Sequence, residues 1–252
     1  MLQAEKLTLT VGNRTLLRDL DLTLVPGEVW AVLGCNGSGK TTLLQALAGL
    51  SFPTSGRITL ADKNIADIPS REFGRELGIL LQQEDREFWG TLRDYVQLGR
   101  YPHTASPFGF DAADDNAVSA AIAAFDLAAL AGQSYMTLSG GERQRARLAQ
   151  LWAQDPQWLL LDEPLQHLDL RHQLQTVERV RAAAQENHKA VLMVLHDLVF
   201  AGRCDQVLLL YGDGRYQAGP AAELLQPATL EALYGCRVVA CGNGPERHFL
   251  VI

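Results

Sequence analysis

Residues 34–42 read Gly-Cys-Asn-Gly-Ser-Gly-Lys-Thr-Thr and satisfy the phosphate-loop pattern G-x-x-x-x-G-K-[ST]. In such a loop the glycines let backbone N–H groups wrap a phosphate chain, and the N-terminus of the following helix adds a favourable dipole. The expected phosphate contacts are Gly34, Asn36, Gly37, Ser38, Gly39, Lys40, Thr41 and Thr42. Lys40 is placed on the β- and γ-phosphates and the Thr41 hydroxyl on Mg²⁺. The chemistry implied is binding of a nucleoside triphosphate, in preference to a glycine-rich turn that merely precedes a helix.

Further residues supply what hydrolysis needs. Leu159-Leu160-Leu161-Asp162-Glu163-Pro164 sets two carboxylates at the end of an apolar run. Asp162 can hold Mg²⁺ through its water shell, and Glu163 can orient or deprotonate an attacking water. His196, after Val-Leu-Met-Val-Leu, can donate to the γ-phosphate. Gln82, at the end of another apolar run, can complete Mg²⁺ or water coordination, with the adjacent Gln83 as the alternative. Ser139-Gly140-Gly141-Glu142 opens a helix with Ser139 as N-cap and Arg143, Arg145 and Arg147 behind it, which makes a second anion site. One triphosphate rarely needs two such sites from one chain, so the second is expected to cap the γ-phosphate held by another copy.

These groups require particular elements beneath them. Glu28–Leu33 reads as a buried strand, and Thr41–Ala48 as a helix stopped by Gly49. Residues 2–25 alternate apolar and polar around Gly12-Asn13, an antiparallel hairpin, and 56–61 add a short strand. Gly78–Leu81, Trp158–Leu161 and Ala190–Leu195 are further buried-strand runs, the last two each preceded by a helical stretch. That alternation predicts a mainly parallel sheet with helices on both faces. Residues from about 86 to 137 read as an inserted helical subdomain, and about 236–252 as a closing hairpin.

Bulk properties narrow the function classes. The formal charge of −7 argues against a general nucleic-acid binder, which would be basic. No apolar run approaches the ~18–20 residues of a membrane helix, and Met1–Lys6 does not read as a signal peptide. The chain is expected in the cytosol, reaching a membrane only through a spanning partner. Cys35, Cys204, Cys236 and Cys241 are scattered and predict no disulfide framework, and Cys236, Cys241 and His248 fit no zinc spacing well.

Taken in order, these motifs resemble the ATP-binding-cassette family over essentially the whole chain. In its terms 34–42 is Walker A, Gln82 the Q-loop and Leu138–Glu142 the signature; Asp162-Glu163 is Walker B with its catalytic glutamate, Leu168-Asp169 closes the D-loop, and His196 is the switch histidine. The resemblance implies a P-loop α/β cassette: a RecA-like sheet, an antiparallel β subdomain and an inserted helical subdomain, all in one domain of residues 1–252. It also implies ATP hydrolysis with Mg²⁺, and a head-to-tail dimer in which each ATP sits between one copy's Walker A and the other's signature. Three positions depart from the pattern. Cys35 stands where proline is frequent, at a place expected to face away from the phosphates. Val11 replaces the adenine-stacking aromatic, a loss on the order of 1 kcal/mol. The D-loop begins Leu165-Gln166-His167, without small hydroxyl residues.

Gly99-Arg100-Tyr101-Pro102-His103, Leu168–Gln173 and Leu233–Val238 resemble ATPases of importers for iron–siderophore complexes, haem and cobalamin. That implies a polytopic permease, a more distant substrate-binding protein, and a place on the cytoplasmic face of the inner membrane. Some of Phe88, Trp89, Tyr95, Arg100 and Tyr101 are expected to form the groove for the permease's coupling helices. The alternative is a soluble cassette ATPase that drives protein or iron–sulfur assembly. A DNA-repair type is remote, because only about fifty residues separate Gln82 from Leu138 and the chain is acidic.

Overall fold

A computed structural model describes residues 1–82, 88–104, 109–242 and 248–252. The alternating hairpin forms as β1 (Leu2–Val11) and β2 (Arg14–Leu24), turning at Gly12-Asn13. β3 (Val29–Leu33) is buried throughout and leads through the loop at 34–39 into α1 (Lys40–Leu47). β4 (Ser55–Leu60) returns to pair with β1, and β5 (Lys63–Asn64) pairs with β4, giving an antiparallel sheet of order β2-β1-β4-β5. α2 (Ser70–Glu76) runs directly into β6 (Leu77–Leu80).

Between β6 and the next strand the described regular elements are helical. They are α3 (Leu92–Gln97), α4 (Ala112–Ala124) and the 15-residue α5 (Gly140–Gln154), with short 3₁₀ turns among them. Thr91, Asp111 and Ser139 each N-cap one of these helices with a full capping box, which fixes where each begins. β7 (Trp158–Asp162), α6 (Leu170–Gln185), β8 (Ala190–Val194), α7 (Leu198–Ala201), β9 (Gln206–Leu210) and β10 (Tyr216–Pro220) follow. The chain then closes with α8 (Ala221–Leu224), α9 (Pro227–Tyr234) and the antiparallel pair β11 (Val238–Cys241) and β12 (His248–Val251).

The main sheet has the order β10-β9-β3-β8-β7-β6, and every pair in it except β9–β10 is parallel. Its side chains alternate between two cores, as the period of two requires. Trp30, Val32, Leu160 and Leu192 face α1 and the antiparallel sheet, while Ala31, Leu33, Leu161 and Met193 face the helices α5 and α6. The register places Val32 beside Val194, Val194 beside Asp162, and Leu161 beside Leu80. Four parallel strands therefore end level with one another, and the residues just past those ends form one edge, where open α/β sheets bind ligands. Among the described residues no helix is long and apolar enough to cross a membrane.

Candidate active site

A cavity of about 590 Å³ opens at that edge. Asn36, Gly37, Gly39, Lys40, Thr41 and Thr42 form its floor. Gln82, Glu163, Gln166 and His196 form one wall, and Val11, Arg14 and Leu16 of the hairpin form the other. Gly34 and Ser38 lie behind the floor. Gly34 has φ +157°, and an added Cβ would stand 2.4 Å from the Leu210 carbonyl, so only glycine fits. The Ser38 side chain is buried, and its N–H donates to Cys35 O at 3.1 Å. The Cys35 thiol turns away from the cavity and donates to Leu233 O at 3.4 Å, as its place in the motif leads one to expect.

Lys40 Nζ donates to the carbonyls of Gly34 (2.8 Å) and Cys35 (3.0 Å). Burial lowers its pKa, against the pull of the Glu163 and Asp162 carboxylates. At the end of β7, Asp162 is 1% exposed and accepts the Thr41 hydroxyl proton on Oδ2 at 2.7 Å. Its Oδ1 is buried with no hydrogen-bond partner among the described residues. Burial pushes this carboxyl's pKa up and the neighbouring Glu163 adds to it, while the Thr41 hydrogen bond and Lys40 oppose. An orphaned, buried carboxylate oxygen beside a hydroxyl is a hard-donor pair that fits a divalent cation such as Mg²⁺.

Glu163 departs from β7 in the left-handed region, with φ +51°, a strained conformation for a non-glycine residue. Its side chain is 10% exposed and three side chains converge on it. Gln82 Nε2 donates to Oε1 at 3.1 Å, Gln166 Nε2 donates to Oε2, and His196 Nε2 lies 2.8 Å from Oε1. The structure thus brings Gln82, Asp162, Glu163 and His196 together from three different strand ends. Gln83, the alternative to Gln82, lies outside the described residues.

Ser139, Gly140, Gly141 and Glu142 do not line this cavity. Ser139 Oγ accepts the Glu142 N–H at 3.3 Å, and the Glu142 carboxylate accepts the Ser139 N–H at 2.7 Å. Within one chain the Glu142 side chain is thus engaged in capping α5. Two arginines of that helix are also engaged inside the fold. Arg145 donates to the carbonyls of Phe125 and Asp126, and Arg147 donates to Leu81 O and to Gln144 Oε1. Gln144 in turn donates to Pro164 O at 2.9 Å, so α5 links the chain before Gln82 to the chain after Glu163. Sequence reasoning did not assign roles to Gln144 and Gln166, and it placed Arg147 behind an anion site, because each acts through a backbone or carboxylate contact that only tertiary structure creates.

The structure narrows one expectation. Of the five residues from which a docking groove was to be drawn, Tyr95 is buried and stacked on Tyr135, and Phe88 packs edge-on against both rings. Arg100 is held in an ion pair with the buried Asp114 at 2.8 Å. These three are spent on packing the helical region, and only Trp89 (86% exposed) and Tyr101 (60%) remain on the surface.

The profile of the ABC transporter family matches residues 17–166. The chain belongs to the ABC transporter family. A hemin import ATP-binding protein of Pseudomonas fluorescens is 40% identical over 100% of this chain and 99% of its own length. Its counterpart in Pseudomonas putida is 42% identical with the same coverage, and that of Bordetella pertussis 39% identical over 93% of this chain and 92% of its own. Among solved structures, an inward-facing metal-chelate type ABC transporter superposes with TM-score 0.85 at 26% identity, covering 100% of this chain and 97% of that one. A dimeric ATP-binding cassette bound to ADP and Pi shares the fold, with TM-score 0.77 at 23% identity over 88% of this chain and 99% of its own. The P-loop cassette fold, ATP binding and ATPase activity follow from this membership. The cassette is the ATP-hydrolysing part of a transporter.

Proposed function

We propose that this cassette energises import of haem or a related metal chelate through a separate polytopic permease. The full-length 40% identity to hemin import ATP-binding proteins carries the reading. We take residues 1–252 as one nucleotide-binding domain, with its helical subdomain at about 86–137 and its hairpin at about 236–252. It sits on the cytoplasmic face of the inner membrane, bound to the permease, and a substrate-binding protein delivers the cargo.

In this reading the loop 34–42 cradles the ATP phosphates, Lys40 leaves its carbonyl partners for the β- and γ-phosphates, and Thr41, Asp162 and Gln82 hold Mg²⁺. The metal supplies charge neutralisation of the phosphate oxygens. Glu163 accepts the proton of the attacking water, its carboxylate aimed by Gln82 and Gln166, and His196 turns from Glu163 toward the γ-phosphate. Ser139, Gly140, Gly141 and Glu142 of a second, head-to-tail copy close the site with the N-terminus of α5. Binding of two ATP molecules closes the dimer and moves the permease, and hydrolysis resets it.

Deleting the gene in its own organism tests the cargo. Growth on haem as sole iron source is expected to stop, and to return with the wild-type gene but not with Glu163→Gln. Growth on haem unchanged by the deletion refutes haem as the cargo, and purification of the chain with soluble partners and no permease favours an assembly ATPase. Ser139→Arg tests the dimer arrangement: turnover is expected to vanish while ATP still binds. Retained turnover removes Ser139 from the site.

A further inference from the structure

The wall of the cavity that belongs to the hairpin has no role in the hydrolysis chemistry. The floor at Gly39-Lys40-Thr41 takes phosphates, and the wall of Gln82, Glu163, Gln166 and His196 serves the reacting end, so the nucleoside must face Val11, Arg14 and Leu16. The hairpin lies directly against the loop, since a Cβ added at Gly39 would stand 3.0 Å from the Leu16 Cβ. Among the described residues no aromatic ring lines this wall: Val11 and Leu16 present aliphatic surface, and Arg14 is the one planar side chain there.

Arg14 is also held in place. Its Nε and Nη2 both donate to one carbonyl, Gly212 O, at 3.0 and 2.8 Å, tying the hairpin to the turn after β9. A single edge of the guanidinium is thereby fixed on a neutral acceptor, and among the described residues no carboxylate pairs with it. A planar, weakly hydrated cation with a pre-set orientation is suited to lie against a π-face.

We propose that the face of the Arg14 guanidinium is the platform on which the nucleobase of the bound nucleotide stacks. This rests on reading the cavity as the nucleotide site. Stacking of this kind is tolerant of base identity, because every base offers a π-face. The cassette should therefore hold ATP and GTP by the same contact.

Calorimetric titration of the full chain with ATP, GTP and inorganic tripolyphosphate, without divalent cation so that no turnover intervenes, tests it. Arg14→Ala is expected to weaken ATP and GTP about five-fold each and leave tripolyphosphate unchanged. Arg14→Lys keeps the charge and a donor for Gly212 O but lacks the plane, and is expected to weaken both nucleotides as Arg14→Ala does. An equal loss for tripolyphosphate would make Arg14 a phosphate or loop contact and overturn the proposal. So would wild-type affinity in Arg14→Lys, or a loss for ATP alone, which would mean recognition of a base edge. A wild-type chain that binds neither nucleotides nor tripolyphosphate would overturn the reading of the cavity itself.

Discussion

The cavity and the clasp at Gly99–His103 are both written in short, family-like words, yet they are built by opposite rules. In the clasp the polar groups find partners inside the fold. Arg100 pairs with Asp114 and donates to Ala153 O, His103 Nε2 lies 2.7 Å from Gln154 O, and Pro102 O accepts from Arg71 and Arg75. In the cavity Asp162 keeps an orphaned oxygen, Glu163 sits at positive φ, and Lys40 is buried on carbonyls alone. A region that only has to hold satisfies itself. A region that must receive a charged ligand carries strain and unmet hydrogen-bonding capacity, which the rest of the fold offsets.

The two carboxylates show the same contrast in their titration. Burial pushes Asp114 up, but the Arg100 hydrogen bond, the Asp111 amide and the charges of Arg100 and His103 together hold its pKa below the ordinary value. Its contribution to stability is present above the ordinary carboxylate range and is lost as pH falls through its lowered pKa. Asp162 is raised, so its stabilising contribution is present at low pH and is lost as pH rises through its raised pKa. Above that raised pKa the buried Asp162 charge opposes folding of the nucleotide-free chain.

Four variants break or sharpen this comparison. Glu163→Gln should lower kcat by about 10²–10⁴-fold with ATP binding intact, read by phosphate release. Wild-type turnover would remove Glu163 from the role of base. Arg100→Ala leaves Asp114 buried and unpaired, and should cost about 3 kcal/mol in chemical denaturation with kcat per folded molecule unchanged. A fall in kcat without loss of stability would move the clasp into the working machinery. Asp162→Asn should raise the Tm of the nucleotide-free chain above the raised pKa of Asp162, an increment that fades on acidification, while divalent-dependent hydrolysis is lost. A lowered Tm would mean that the buried carboxylate is structural. Gln166→Ala removes one donor from Glu163 and should lower kcat by about three-fold at unchanged KM for ATP. A change in KM alone would make Gln166 a nucleotide contact instead.

Much of the cassette was legible because its chemistry is local. The phosphate loop needs only a strand, six residues and a helix in succession. The buried runs 158–161 and 190–195 are too apolar for anything but central strands, and Ser139 with Glu142 caps α5 through neighbours three residues apart. Which of the five docking candidates stay on the surface was not legible for a related reason: an aromatic or an arginine in a polar stretch reads as surface until a partner is placed against it. Tyr135 covers Tyr95 from forty residues away, and Asp114 reaches Arg100 across the start of α4.

By itself, the order of residues determined the hairpin, the buried strands β3, β6, β7 and β8, the loop, the cap of α5 and which side chains could do the chemistry, since each depends on neighbours within a few positions. Tertiary structure alone decided that Gln82, Glu163 and His196 meet around one carboxylate, and that Gln144 and Arg147 join the chain near Gln82 to the chain near Glu163. It also decided that Arg14 is pinned by a carbonyl 198 positions later. Those contacts follow from the parallel register that ends four strands at one level, and strand order across a sheet is set by packing of the whole core, with no short segment carrying it.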